Sequence, residues 1–194
     1  AMPCEFSRVA DRVFLMGGGY KYAMAGEGVG FIHAPPGYAP RPAFTGWFAD
    51  FGAMEGKQGE VAYGRDGSRF LGATYDPTGL YRFNAVYAAL AREGVTTADV
   101  TARVAALRAT LEAAIEAGDA GVLREAQVLR PNANGPNARF LALRHPKSVE
   151  WKSRLMEAHL ITDARDDVLR IGLGLYHDMD DIAPFCAAVK TALS

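Results

Sequence analysis

The apolar positions of this chain come in short runs in its first part and at helical spacing later. Val13-Phe14-Leu15-Met16 stops at Gly17 and reads as a short buried strand, and Val29 to His33, after a turn at Gly26 and Gly28, reads as a second strand. Ala34 to Pro42 is too rich in proline for helix or central strand and reads as a surface loop. Glu55 to Ser68 is polar and glycine-rich, a mobile loop by composition. Asp76-Pro77-Thr78 signals a helix start, with Thr78 as N-cap of a helix over Gly79 to Glu93 that carries Phe83, Val86, Tyr87 and Leu90 on one stripe and stops at Gly94.

From Thr97 to Ala117, Val100, Val104, Leu107, Leu111 and Ile115 recur at steps of three and four. Thr96 and Asp99 fit a capping box, and Gly118 ends the pattern. Such a stripe belongs to a core or a dimer surface, not to chemistry. Pro131 to Pro136 reads as a polar turn and Ala138 to Leu143 as a strand; Ser148 then caps a helix to about Ala158 with Trp151 and Leu155 inward. Between Leu160 and Tyr176 two strands flank an acidic turn. Asp178 caps a last helix with Ile182, Phe185, Val189 and Leu193 inward.

Composition narrows the partners. The chain has 194 residues, 49% hydrophobic and 22% charged, with a formal net charge of −1, which suits one globular domain or two small ones. Near-zero charge argues against nucleic acid or an anionic membrane held by bulk electrostatics. No apolar run approaches the roughly 20 residues that span a bilayer, and no basic region followed by an apolar core marks a secretory signal. Cys4 and Cys186 read as reduced thiols of a cytoplasmic protein. His33, His145, His159 and His177 are scattered without zinc spacing, so no metal is expected.

Chemistry concentrates between Gly17 and His33. Three consecutive glycines open the backbone to positive φ, and Lys21 follows between Tyr20 and Tyr22. Of the five lysines, Lys57, Lys147, Lys152 and Lys190 sit among polar residues or on helix surfaces, whereas Lys21 has a small, aromatic, charge-poor setting. Partial desolvation there would favour the neutral amine, the form that attacks a carbonyl. The alternative is an ordinary surface lysine on a glycine-rich turn. A nucleotide-phosphate loop fails on spacing.

Two further residues invite the same double reading. Trp47, among Phe44, Phe48 and Phe51, is either a core or interface anchor or an N–H donor to a ligand. Arg170, between Leu169 and Ile171, needs an anion: Asp163, Asp166 or Asp167 in a salt bridge, or a substrate carboxylate gripped by its fork.

Gly19-Tyr20-Lys21-Tyr22 with Ala25-Gly26-Glu27-Gly28 resembles the cofactor-lysine segment of kynureninase and related class V aminotransferase-superfamily enzymes, in which the lysine carries pyridoxal 5′-phosphate (PLP). Gly46-Trp47-Phe48 and Leu169-Arg170 resemble two later segments in matching order. The family's Gly-His after the first is replaced by Ala49-Asp50, and its Ala-Pro-x-Pro before Leu-Tyr by Gly172-Leu173-Gly174. The resemblance implies the C-terminal half of a PLP fold-type I enzyme. Residues 1–80 would end the α/β large domain, and 81–194 would form a small domain of antiparallel strands covered by helices. It implies Lys21 as catalytic and cofactor lysine, Tyr20 and Trp47 as donors to the phosphate, and Thr74 or Asp76 as a further phosphate contact, with the cofactor at a dimer interface where Trp47 and Thr74 reach the neighbouring subunit's PLP. Thr74 is preferred, since a carboxylate repels a phosphate dianion. It also implies Arg170 as the substrate-carboxylate residue and Arg165 as structural. The expected partners are a homodimer mate, the missing N-terminal half and an amino-acid substrate. The expected reaction is hydrolysis of the β–γ carbon bond of L-kynurenine to anthranilate and L-alanine. An aminotransferase, a β-eliminating lyase, or a non-catalytic fragment are the alternatives.

Overall fold

The computed structural model describes residues 6–53, 63–131 and 137–194. Most of the expected loop from Glu55 to Ser68, and the expected turn after Pro131, therefore lie outside the described residues, as does Cys4. The fold is mixed α/β with antiparallel sheets, and it divides into two compact units, one taking the described residues up to Glu93 and the other Gly94–Ser194. The division falls at Gly94, whose φ is 65°, and not at residue 80. Residue 80 lies inside a continuous helix, α1 (Thr78–Arg92), and a hydrogen-bonded helix does not part in its first turn. Among the described residues no helix is long and apolar enough to cross a membrane.

In the first unit, β1 (Leu15–Gly18) and β2 (Gly30–His33) form a two-stranded antiparallel sheet with Leu15 opposite His33 and Gly18 opposite Gly30. β1 starts two residues later than the apolar run suggests, and Phe14 instead meets Tyr38 and Phe70 edge to face. Trp47–Ala53 and Gly67–Phe70 are 3-10 turns, a form the sequence pattern did not signal. Arg69, buried, ties the loops: its Nε donates to Ala39 O at 3.1 Å and its Nη2 to Tyr38 O at 3.0 Å, while the guanidinium lies over Phe70.

The start of α1 differs from expectation. Pro77 holds the N-cap position, and Asp76 accepts hydrogen bonds from Thr78 N (2.9 Å) and Thr78 Oγ1 (2.6 Å). The carboxylate takes two donors at once, where the Thr78 hydroxyl could cap only one.

The second unit has one sheet in the order β3 (Gln127–Val128), β4 (Phe140–Arg144), β6 (Val168–Gly172), β5 (Asp163–Arg165), antiparallel throughout. The strand alternation sends Leu141, Leu143, Leu169 and Ile171 to one face, where they are buried, and Ala142, Arg144 and Arg170 to the other. Helices α2 (Thr97–Ala117) and α3 (Ser148–Glu157) pack on the buried face, and α4 (Ile182–Leu193) packs against both of them. In α2 the whole predicted stripe is buried, the Thr96/Asp99 capping box is formed, and Gly118 closes the helix at φ 87°. Each such aliphatic side chain contributes about 1.5–3 kcal/mol. Ser148 does not cap α3: fully buried, its hydroxyl donates to Asp167 O at 2.9 Å and binds the helix start to the β5–β6 turn. A short 3-10 turn, Met179–Asp181, precedes α4, and Asp178 N donates to Asp181 across it.

Candidate functional site

Lys21 lies in the loop between β1 and β2, and main-chain hydrogen bonds define that loop. Gly19 N donates to Val29 O at 3.0 Å, Ala25 N to Gly19 O at 3.0 Å, and Met24 N to Lys21 O at 2.9 Å. The segment Gly19–Ala25 therefore closes on itself with Lys21 in its turn. Ala25 and Val29 are buried beneath it. Lys21 itself is exposed, with its Nζ 5.2 Å from the centre of the Tyr20 ring. The desolvation expected from its small, aromatic neighbours is absent, because Tyr20 and Tyr22 are themselves about half exposed and do not cover it.

The start of α1 meets the other side of this loop. A Cβ on Gly79 would lie 2.6 Å from Gly28 O, so only glycine permits that approach. A second close approach brings Trp47's segment to the stretch that holds Thr74. Phe48 N donates to Gly72 O at 3.3 Å, and a Cβ on Gly46 would lie 2.0 Å from that same oxygen. Residues 72–79 thus run from the Trp47 turn to the Lys21 loop, with Thr74 and Asp76 between. Trp47 is about half exposed and stands against Phe48 and Phe51.

The predicted residues sort by whether their polar atoms are already engaged. The Lys21 amine, the Tyr20 hydroxyl, the Trp47 indole N–H and the Thr74 hydroxyl make no hydrogen bond or ion pair among the described residues. Asp76 is engaged at the end of α1, and its bonds from Thr78 hold its carboxyl below the usual carboxylate range. An ionised carboxylate already occupies that helix end, where a phosphate would meet repulsion.

Arg170 belongs to the second unit. It sits opposite Asp163 in the β5–β6 register and forms an ion pair with it, and its guanidinium lies 5.4 Å from the centre of the Phe140 ring. Of the three aspartates the sequence offered, Asp163 is the one it uses, and the hydrogen bond holds the Asp163 carboxyl below its usual range. Its Nε is buried without a partner among the described residues. Arg170 also lines an open cavity of about 410 Å³ with Arg108, Arg144, Arg165 and Phe140. Arg165 pairs with the same Asp163 at 3.7 Å and Arg144 with Asp167 at 3.4 Å. A guanidinium beside an aromatic ring at a cavity wall can take a carboxylate if that carboxylate displaces Asp163 from Nη2.

Sequence reasoning missed two residues. Arg82, on α1, donates from Nε to Ala25 O at 2.9 Å and from Nη2 to Glu27 O. Phe140 supports Arg170. Arg82 gave no signal, but Gly79 did: glycine in a first helical turn is a poor helix former and invites the question of what approaches it. Compared with models of known protein families and with curated proteins, the sequence matches none.

Proposed function

We propose that this chain supplies the lysine and arginine of a PLP-dependent enzyme that acts on an amino acid, with the resemblance to kynureninase pointing to hydrolysis of the β–γ carbon bond of L-kynurenine. One observation carries the reading: Lys21 presents an exposed amine, free of ion pairs among the described residues, on a loop closed by its own backbone. The unengaged donors of Tyr20, Trp47 and Thr74 fit a phosphate; Asp76 does not, and it drops out of the proposed contacts. Lys21 would hold the cofactor through its amine and Tyr20 would donate to its phosphate, while Trp47 and Thr74 would donate to the phosphate of the neighbouring subunit's cofactor. Bound there, PLP supplies an electron sink for bonds to the substrate's α-carbon. Freed when the substrate's own amine takes its place, the Lys21 amine would move the proton at that carbon, and Arg170 would pair with the substrate carboxylate in place of Asp163. A PLP fold-type I arrangement completed by further polypeptide, with a homodimer, belongs to the same reading. The exposed Met16 and Ile32, opposite each other across β1 and β2, support it, since they put two large apolar side chains side by side on one strand face.

The test is direct. Together with the polypeptide that completes the site, protein mixed with PLP develops visible absorbance that Lys21→Ala abolishes, and with kynurenine it releases anthranilate and alanine. Pyruvate plus a leaving group, or a keto acid, assigns the alternative lyase or aminotransferase chemistry. No absorbance in the unaltered protein rejects the reading.

A further inference from the structure

The loop that carries Lys21 is braced from behind by one side chain. We infer that Arg82 is the positioning residue for the Lys21 amine, holding the Gly19–Ala25 loop in the form that presents it; this rests on reading Lys21 as the cofactor lysine. Arg82 spends its guanidinium on main-chain carbonyls. Nε donates to Ala25 O at 2.9 Å and Nη2 to Glu27 O, one carbonyl on each side of Gly26. The fork closes over Gly26 itself: at φ 71°, a Cβ there would stand 3.3 Å from Arg82 Nε. One residue before Gly26, Ala25 N donates back to Gly19 O and shuts the loop. Arg82 therefore grips the residue at which the loop closes.

The loop needs such a brace. Met24, three residues past Lys21, has φ 56°, a conformation that a side-chain-bearing residue keeps only when its surroundings hold it. Gly28 follows at φ 85° and is met by Gly79 of the same helix. Arg82 and Gly79 thus fix the far side of the loop, and Lys21 stands on the near side. A planar guanidinium reaches two carbonyls two residues apart, while a lysine ammonium on a flexible stem reaches one with less geometric control.

Two measurements decide it. Amide hydrogen exchange follows Ala25 and Gly19. Borohydride trapping after exposure to PLP, mapped by mass spectrometry across a pH series, gives the share of label at Lys21 against the other lysines. In Arg82→Met, exchange at Ala25 rises about tenfold and the Lys21 share falls toward that of an ordinary surface lysine. Arg82→Lys lies between, and it decides the matter if Arg82→Met does not fold. Unchanged exchange overturns the brace. Raised exchange with unchanged labelling overturns the link to the amine. If the unaltered protein shows no preference for Lys21, the cofactor reading falls and this inference with it, a result seen without any Arg82 variant.

Discussion

The two units are built by different means. Gly94–Ser194 packs aliphatic side chains: Leu107, Leu111, Leu123, Leu141, Leu143, Leu155, Leu169 and Val189 are all fully buried. Among the described residues, the unit before it buries just the small or compact apolar side chains of Ala25, Val29, Pro35 and Ala49 and leaves Met16, Phe31, Phe44 and Trp47 half or more exposed. It is held by backbone hydrogen bonds, by glycine approaches at Gly46 and Gly79, and by the forks of Arg69 and Arg82. Hydrophobic burial stabilises the first kind of structure strongly and without direction. Hydrogen bonds each contribute only about 1 kcal/mol net but specify geometry. The candidate cofactor residues sit in the second kind, where position is specified and surface remains open.

The largest expected effect tests the packed unit. Leu107→Ala, at a fully buried point of α2, lowers unfolding free energy by about 2–5 kcal/mol. The matching change in the open unit, Met16→Ala, stays within about 0.5 kcal/mol. Denaturant unfolding of both variants decides it, and equal losses would erase the contrast. Next comes Gly79→Ala. Alanine is the better helix former by about 1 kcal/mol, yet its Cβ would press on Gly28 O, which is backbone and cannot swing aside. The clash wins, and the variant loses about 1–3 kcal/mol. A stabilised Gly79→Ala would show that α1 does not press on the Lys21 loop.

A smaller effect sharpens the comparison through pH. Glu112 lies between Arg108 (2.7 Å) and Arg130 (2.5 Å) in the packed unit. Burial pushes its carboxyl up, but the hydrogen bonds from Arg130 and Arg108 outweigh burial and leave it below the ordinary 4.5. A carboxyl depressed in the folded state stabilises the fold above its unfolded value and loses that contribution as pH falls through the depressed one. Stability should therefore fall as pH drops below 4.5, and Glu112→Gln, costing about 1–2 kcal/mol at neutral pH, should flatten that part of the profile. A profile equally steep in Glu112→Gln assigns the acid sensitivity elsewhere.

How much could be read beforehand follows the same division. Wherever burial drives structure, the period of apolar residues shows it: the α2 stripe, its capping box, the Gly118 stop and the inward faces of α3 and α4 were all legible. Lys21 between two strands was legible too, because glycine runs and apolar runs punctuate each other. Arg82 was not, since a fork onto carbonyls 55 and 57 residues away leaves no local pattern. Asp76 was misjudged for a related reason: Asp-Pro-Thr permits two capping arrangements, and geometry alone selects the one with two donors. The exposure of Lys21 escaped as well, because aromatic neighbours in sequence need not cover a side chain in space.

The smallest effect bears on the second site. Asp163 and Arg170 face each other across β5 and β6, and Asp163 is half exposed, so their pair contributes less than about 1 kcal/mol. Asp163→Asn should barely move stability. Its use lies in what it frees. If Arg170 only completes the sheet, Asp163→Asn leaves the protein indifferent to small carboxylates. If Arg170 is the substrate anchor, Asp163 competes with the substrate for the same fork, and its neutralisation lowers the Kd for an amino-acid carboxylate severalfold, as read by titration with L-alanine. Arg170→Met abolishes that binding while Phe140 still lines the cavity. The pair of variants separates anchor from staple because the two roles predict opposite responses to removing the same negative charge.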